Sequence, residues 1–387
     1  MACRRRRSCG RSCCKSVSSC NIKFNRIIYI FMFLAPLICN IVFMFHPDYF
    51  NNSFWRSFPA FKENNFDFVW IMNIRFVFTY FVFHSALFFF SLFQAFKLVG
   101  VAKFVHRGLL FVKVPLLIGF FFLTFVFPNE SMLNFQYLMI VLGAMFQGVM
   151  MLAVVEIGYV WFNKVKNAAM PVRVIVFIVM IGFIGLGITE FAFTYLNSRN
   201  IHVVAMTSAL CGISGIIIVL ALVSKHASIF PVSFLILMTA FSCIYGSNFD
   251  FFGNQKFSFT TECFNAFTSI GAITSFFSIF LMNIMEISLK PLFLGVDSRG
   301  NPDMGAMVSL SVDDDARSEM TSYYYWAFHL VMIGAICYIG NLTCWPRNYD
   351  MVLTHWYSTT GSSALINLLV LWTEFWPLVA RNKYTFL

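Results

Sequence analysis

Charge is what this 387-residue chain has least of: 11% of its residues are Asp, Glu, Lys or Arg, and only 17 are acidic. With 59% hydrophobic residues and a mean hydropathy of +0.76, so thin a polar complement excludes an ordinary soluble domain. Enzymatic signatures are missing as well. The sequence contains no Gly-x-Ser-x-Gly elbow, no His-Glu-x-x-His helix, no phosphate-binding loop and no paired carboxylates on a defined soluble scaffold. No catalytic role, cofactor or metal is therefore expected. A secretory leader is not expected either, because residues 1–25 hold neither an apolar region nor a small-residue cleavage site.

Long apolar runs are present instead. A bilayer span needs about 20 mostly apolar residues to match a hydrocarbon core roughly 30 Å thick. Ten stretches meet that requirement: 26–45, 69–96, 107–127, 133–163, 172–196, 201–224, 229–246, 258–283, 323–345 and 357–380. The expected fold is an all-α polytopic membrane protein. Its expected divisions are a cytoplasmic Arg/Cys-rich tail (1–25), eight spans (26–283), an acidic cytoplasmic loop (284–322), two further spans (323–380) and a short C-terminus (381–387).

Basic residues orient the spans. Taking the N-terminus as cytoplasmic places Arg4 to Arg7, Arg11, Lys15, Lys23, Arg26, Lys97, Lys103, Arg107, Lys164, Lys166 and Arg173 on that side. Lys225, Lys290, Arg299, Arg317, Arg381 and Lys383 join them, while only Arg56, Lys62, Arg199, Lys256 and Arg347 fall opposite. Twenty against five predicts two cytoplasmic termini. The +10 net charge then reflects topology and anionic lipid rather than nucleic-acid binding. The sequons at Asn51 and Asn129 fall on the lumenal side, where glycosylation is expected; the one at Asn341 lies inside a span.

Cys3, Cys9, Cys13, Cys14 and Cys20 lie in the basic tail. Without a Cys-x-x-Cys pair or a histidine they do not suggest zinc. S-acylation, at Cys13 and Cys14, beside the Arg run suits them better. The loop around 285–321 carries Gly295, Gly300, Pro302, Gly305 and Asp313 to Asp315 without periodicity, and reads as solvated chain.

The fourth span is oversized. About 30 residues give roughly 45 Å of helix, half again the bilayer core, so it must tilt or protrude. Small residues mark expected close approaches at Gly143, Ala144, Gly148, Gly182, Gly185, Gly187, Gly212 and Gly215. The 51 Phe residues read mostly as lipid-facing filler.

Ionisable residues inside spans are costly and are the best pointers to a site. Arg75, His84, Lys113, Glu156, Glu190, Glu262, His329 and Glu374 qualify. Lys113 lies roughly 9 Å inside span three by helical rise, at a level that Glu156 and Glu374 share from their own ends. Arg75 and Glu190 share a level near the opposite surface. Depth alone thus suggests Lys113–Glu156 and Arg75–Glu190 pairs. They act either as structural ion pairs, with Arg75 and Lys113 snorkelling, or as the lining of a route for polar headgroups. His84 and His329 are isolated in the chain and read as hydrogen-bonded structure.

The last third carries a family pattern. Tyr323-Tyr324-Tyr325-Trp326-Ala327-Phe328-His329 follows the acidic loop and opens a span that contains Tyr338-Ile339 and ends in Leu342-Thr343-Cys344-Trp345. Ser362-Ser363, Trp372-Thr373, Pro377-Leu378-Val379 and Asn382-Lys383 follow. Upstream stand Ile74-Arg75-Phe76, Phe111-Val112-Lys113 through Phe127-Pro128, and Val155-Glu156-Ile157. Together these resemble the serine incorporator (Serinc) family over nearly the whole length, with spans five to seven matching in hydropathy only. Cys344 stands where the family has Asn, Glu156 where it has Asp, and Glu374 where it has an apolar residue.

The resemblance implies a fold of about ten helices in two subdomains around a long tilted fourth helix. It implies lipid work too, movement of phospholipids between leaflets. The charges within the spans, Arg75, Lys113, Glu156, Glu190 and Glu374, are assigned to the headgroup pathway on their cost in lipid, and the lack of a nucleotide motif makes the movement independent of ATP. Two alternatives are a non-catalytic accessory bringing serine to enzymes of phosphatidylserine and sphingolipid synthesis, and a secondary transporter of a small polar solute with Glu156 or Glu190 as proton site. Expected partners are membrane phospholipids, serine or lipid-synthesising enzymes under the accessory reading, and a second copy of the chain. The expected location is the endomembrane system or plasma membrane.

Overall fold

The computed structural model describes residues 27–34, 37–50, 52–62, 66–92, 105, 110–166, 168–198, 201–223, 229–247, 269, 271–273, 276, 316–344 and 349–379. Among these residues the regular structure is helical throughout, with no strand. The principal helices are α1 (Ile27–Phe45), α2 (Phe68–Leu92), α3 (Leu110–Thr124), α4 (Asn129–Lys166), α5 (Met170–Asn197), α6 (Ile201–Val223), α7 (Ile229–Ser247), α8 (Ala316–Thr343) and α9 (Tyr349–Val379). Residues 47–61 between α1 and α2 add two helical turns, Pro47–Phe50 and Ser53–Arg56, and a 3-10 turn, Pro59–Phe61.

Five of these helices, α1, α2, α4, α5 and α6, include stretches long and apolar enough to cross a membrane, and the apolar parts of α3, α7 and α8 are shorter. Span eight (258–283) lies almost wholly outside the described residues, as do the tail with Cys13 and Cys14, Asn51, and most of the acidic loop. Helix α8 begins at Ala316, ahead of the expected start of span nine at 323.

Local chemistry explains the helices. In a hydrocarbon surround every backbone amide must be satisfied within its own segment, which leaves the helix as the solution for an apolar run. Hydroxyl side chains follow the same rule. Thr79 donates to the Arg75 carbonyl, Thr194 to that of Glu190, Thr239 to that of Leu235, and Thr360 to that of Trp356. Each hydroxyl is thus neutralised one turn back along its helix. Pro171 opens α5, where its missing N–H leaves no bond unmade. Pro115 lies inside α3, which continues past it to Thr124.

The described residues fall into two compact units. The first takes those within Met1–Gln136, Thr268–Glu286 and Leu310–Cys344; the second takes those within Tyr137–Phe267, Ile287–Ser309 and Trp345–Leu387. The boundary at Gln136 falls inside α4, which at 38 residues is about 57 Å long by helical rise.

In the first unit α2 packs against α8 and α3. Many of its aromatic rings are interior. Trp55, Phe58 and Phe61 pack on Phe125, and Phe76 stacks on Phe121 at 4.1 Å between centroids. Phe33, Phe43 and Phe135 are buried too. The reading of Phe as mostly lipid-facing filler is therefore corrected for this unit.

In the second unit α7 packs against α5, α6 and α9. Its core holds Met151, Phe191, Leu210, Ile217, Leu235, Ile236, Cys243 and Ile366. The buried stripe of α6, Val203, Thr207, Leu210, Ser214, Ile217 and Ala221, has the three-and-four spacing of one helix face.

Candidate functional site

One stretch of α2 supplies polar groups to the ends of two other helices. A helix leaves its last four carbonyls without intrahelical donors. Arg75 answers this for α3: Nε donates to the Thr124 carbonyl at 3.3 Å and Nη2 to that of Phe127 at 3.1 Å. Nη2 also reaches Asn129 Oδ1 at 2.6 Å, and Nη1 the Ile71 carbonyl at 3.4 Å. The guanidinium lies 5.3 Å from the Phe125 ring centroid. A buried cation at the C-terminal, partially negative end of a helix is favourably placed. Asn73 Nδ2 donates to the Thr343 carbonyl at 3.0 Å at the end of α8. Gln136 closes the set, accepting from Trp70 Nε1 at 3.1 Å and donating to the Cys344 carbonyl at 3.1 Å.

Arg75 is thus a helix cap, engaged through all three guanidinium nitrogens. Asn129 is likewise committed: its Oδ1 holds Arg75, its Nδ2 donates to the Ala60 carbonyl at 2.8 Å, and the residue is fully buried. Asn129, an expected glycan acceptor, is thus held on both faces of its amide. The sequon at Asn341 is buried within α8.

Lys113 stands apart from that belt. It is 8% exposed, and its Nζ donates to the Tyr29 hydroxyl at 2.8 Å and sits 5.2 Å from that ring's centroid. Its hydrogen-bond partner is a neutral phenol rather than a carboxylate. The neighbouring Val112, Val114 and Leu116 are exposed, which puts Lys113 on the inner face of a helix whose outer face is open. The Tyr29 ring also packs edge-on against His329 at 5.4 Å and His84 at 6.1 Å. His84 and His329, isolated in the chain, face each other through their Nδ1 atoms at 3.0 Å.

The second unit holds its own polar groups. Gln147 Nε2 donates to Ser242 Oγ and, at 3.1 Å, to Ser363 Oγ; Ser363 in turn bonds Ser242 at 2.8 Å and the Thr359 carbonyl at 3.1 Å. Asn367 Nδ2 donates to Thr239 Oγ1 at 2.7 Å and to the Ser363 carbonyl at 2.8 Å. Ser362 Oγ reaches the Ala144 carbonyl at 2.8 Å. These bonds tie α4, α7 and α9 together. Glu190 is half-buried, and its Oε2 is enclosed without a hydrogen bond, as are Thr207 Oγ1, Ser214 Oγ and Asn367 Oδ1. The side chains of Glu156 and Glu374 lie outside the described residues, as does Glu262. Cys243 and Cys344 are free thiols. Among the described residues no group of three or more His, Cys, Asp or Glu is arranged to hold a metal.

Small residues divide sharply. A Cβ at Gly148 would meet Ser362 Oγ at 2.7 Å, and one at Gly187 would meet Ile236 Cγ2 at 2.8 Å. Gly182, Gly185, Gly212 and Gly215 have nothing within 4 Å of such an atom among the described residues, so no close approach is seen there. The tightest contact with a backbone falls at a glycine not singled out from sequence: a Cβ at Gly158 would lie 2.7 Å from Pro231 Cα.

Helices long and apolar enough to cross a membrane, with no strand among the described residues, are those of an all-α integral membrane protein. No protein-family model matches the chain, and no curated protein matches it.

Proposed function

We propose that the chain is a Serinc-like lipid scramblase, moving phospholipids between leaflets without ATP. In this reading it has ten spans, with both termini cytoplasmic. The resemblance across the ends of spans two, three, nine and ten motivates the proposal. The physical observation that carries it is Lys113: a buried cation on a neutral hydroxyl, at the inner face of α3. Unpaired polar groups cost several kcal/mol in hydrocarbon. A lipid phosphate could displace Tyr29 and gain a charge-assisted bond to Nζ, while its acyl tails stay in the bilayer.

The test is reconstitution in liposomes with a quenchable fluorescent phospholipid. Quenching should run past the outer-leaflet fraction, and Lys113→Gln should slow it roughly tenfold, equivalent to about 1.4 kcal/mol in the barrier. Quenching that stops at the outer-leaflet fraction, in vesicles verified to contain folded protein, refutes scrambling. A second reading, proton-coupled transport of a small polar solute, is favoured by the unbonded Glu190 Oε2. The same vesicles separate the two, since solute uptake abolished by a proton ionophore and by Glu190→Gln belongs to transport alone.

A further inference from the structure

The contact between His84 and His329 is more specific than packing of two aromatic rings requires. Both side chains are almost wholly buried, with their Nδ1 atoms 3.0 Å apart. At that separation one Nδ1 carries hydrogen and the other offers a lone pair, so the two rings hold different tautomers. The donor ring has its hydrogen on Nδ1, and the acceptor ring has its hydrogen on Nε2.

The surroundings are aromatic. Phe83 and Phe328 stand edge-on to the imidazoles at 5.3 and 5.1 Å, and Tyr29 touches both. Among the described residues Tyr29 from α1 touches both rings, Lys113 from α3 follows through the Tyr29 hydroxyl, and Tyr80 lies one turn away on α2, its hydroxyl donating to the Met32 carbonyl at 2.8 Å. No Asp or Glu occurs in the sequences of α1, α2 or α3, and the sole acidic residue of α8 is Glu319 in its first turn.

We propose that His84 and His329 form a binding site for one proton, shared across their facing Nδ1 atoms, that fastens α2 to α8. Proton bookkeeping sets the stoichiometry. A first added proton goes to the unprotonated Nε2 of the donor ring, which becomes imidazolium and still donates through Nδ1; the bond survives and is charge-assisted. A second would have to occupy the acceptor's Nδ1, turning two N–H groups toward each other across 3.0 Å. It would also place two cations in one apolar box, with the Lys113 charge beyond Tyr29 opposing both. The pair therefore accepts one proton and rejects the next, and the two rings titrate as a unit. This inference rests on the first unit's geometry and stands independently of the lipid reading.

The experiment uses full-length protein, 15N-labelled at its seven histidines, in phospholipid bilayers, followed by solid-state NMR from roughly pH 8 to 4. Two rings should begin as opposite tautomers with a nitrogen–nitrogen coupling across the shared hydrogen. They should then take up a single proton together, with loss of the coupling only beyond that step. Asn places its side-chain amide where a histidine has Nδ1, so His84→Asn keeps a hydrogen bond to His329. In that variant His329 should titrate alone, at a displaced pH and without the coupling. The wild-type titration decides the matter even where a variant fails to fold. Two rings protonating independently, two rings neutral at every pH, or no coupling between them would each overturn the proposal.

Discussion

Arg75 and Lys113 look alike in the sequence, each a lone cation in an apolar run, yet their neighbours give them different work. Arg75 has a planar fork with donors in several directions, and four oxygen acceptors surround it. Lys113 has one neutral hydroxyl. Removing an acceptor from a buried cation is expensive, because the charge stays behind without its bond. Asn129→Leu takes the 2.6 Å partner from Arg75 and the donor from the Ala60 carbonyl. It should destabilise the purified protein by about 3 kcal/mol, with Asn129→Asp costing less because it still accepts from Arg75. Thermal unfolding in detergent measures both, and an unchanged midpoint for Asn129→Leu would show that Arg75 needs no such partner. Neither role was legible from residue type. The positions of cations in apolar runs were visible, but their partners are mostly backbone carbonyls, and a carbonyl carries no mark in the sequence.

Helices meet in this protein where side chains are small on one side and shaped on the other. Gly158 on α4 approaches the backbone of Pro231 at the start of α7, whereas Gly182 and Gly185 on α5 meet nothing. A methyl at position 158 has to push a backbone aside, which costs about 1–3 kcal/mol as overpacking. Gly158→Ala should therefore lower thermal stability while Gly182→Ala leaves it unchanged or slightly raised, since alanine favours helix. Equal effects at the two sites would remove the distinction. Glycine spacing marked Gly182, Gly185 and Gly187 of α5 alike in the sequence, but only Gly187 is closely approached, because a small residue permits a close approach without causing one. Most of the described helices were readable to within a few residues from apolar length, although α8 and α9 begin at Ala316 and Tyr349, ahead of spans expected from 323 and 357. The oversized fourth span is the longest helix among the described residues.

On the scale of the whole molecule, the charge asymmetry of the chain makes a prediction that the helices alone do not. Twenty basic residues assigned to one side require an even number of crossings. Protease-accessible tags on the two termini of the intact protein in sealed cells should therefore both be cytoplasmic. Tags on opposite faces would break the ten-span assignment and the headgroup route built on it. The Lys113–Glu156 and Arg75–Glu190 pairs are suggested by depth alone, and the Glu156 side chain lies outside the described residues. Depth along a helix fixes the level of a charge but not its direction around the axis, and a helix turns fully every 3.6 residues.

By itself the sequence determined the solvent, the secondary structure and the approximate helix boundaries of this protein, because those follow from local apolar length and from the need of each backbone segment to bond itself in lipid. Only the tertiary structure decided which polar groups meet: His84 with His329, Arg75 with the end of α3, Gln147 with Ser242 and Ser363. Those contacts join residues as many as 245 positions apart. Rotation about each helix axis selects them, and that rotation is settled by side-chain packing along whole helix faces, a property no short stretch of chain contains.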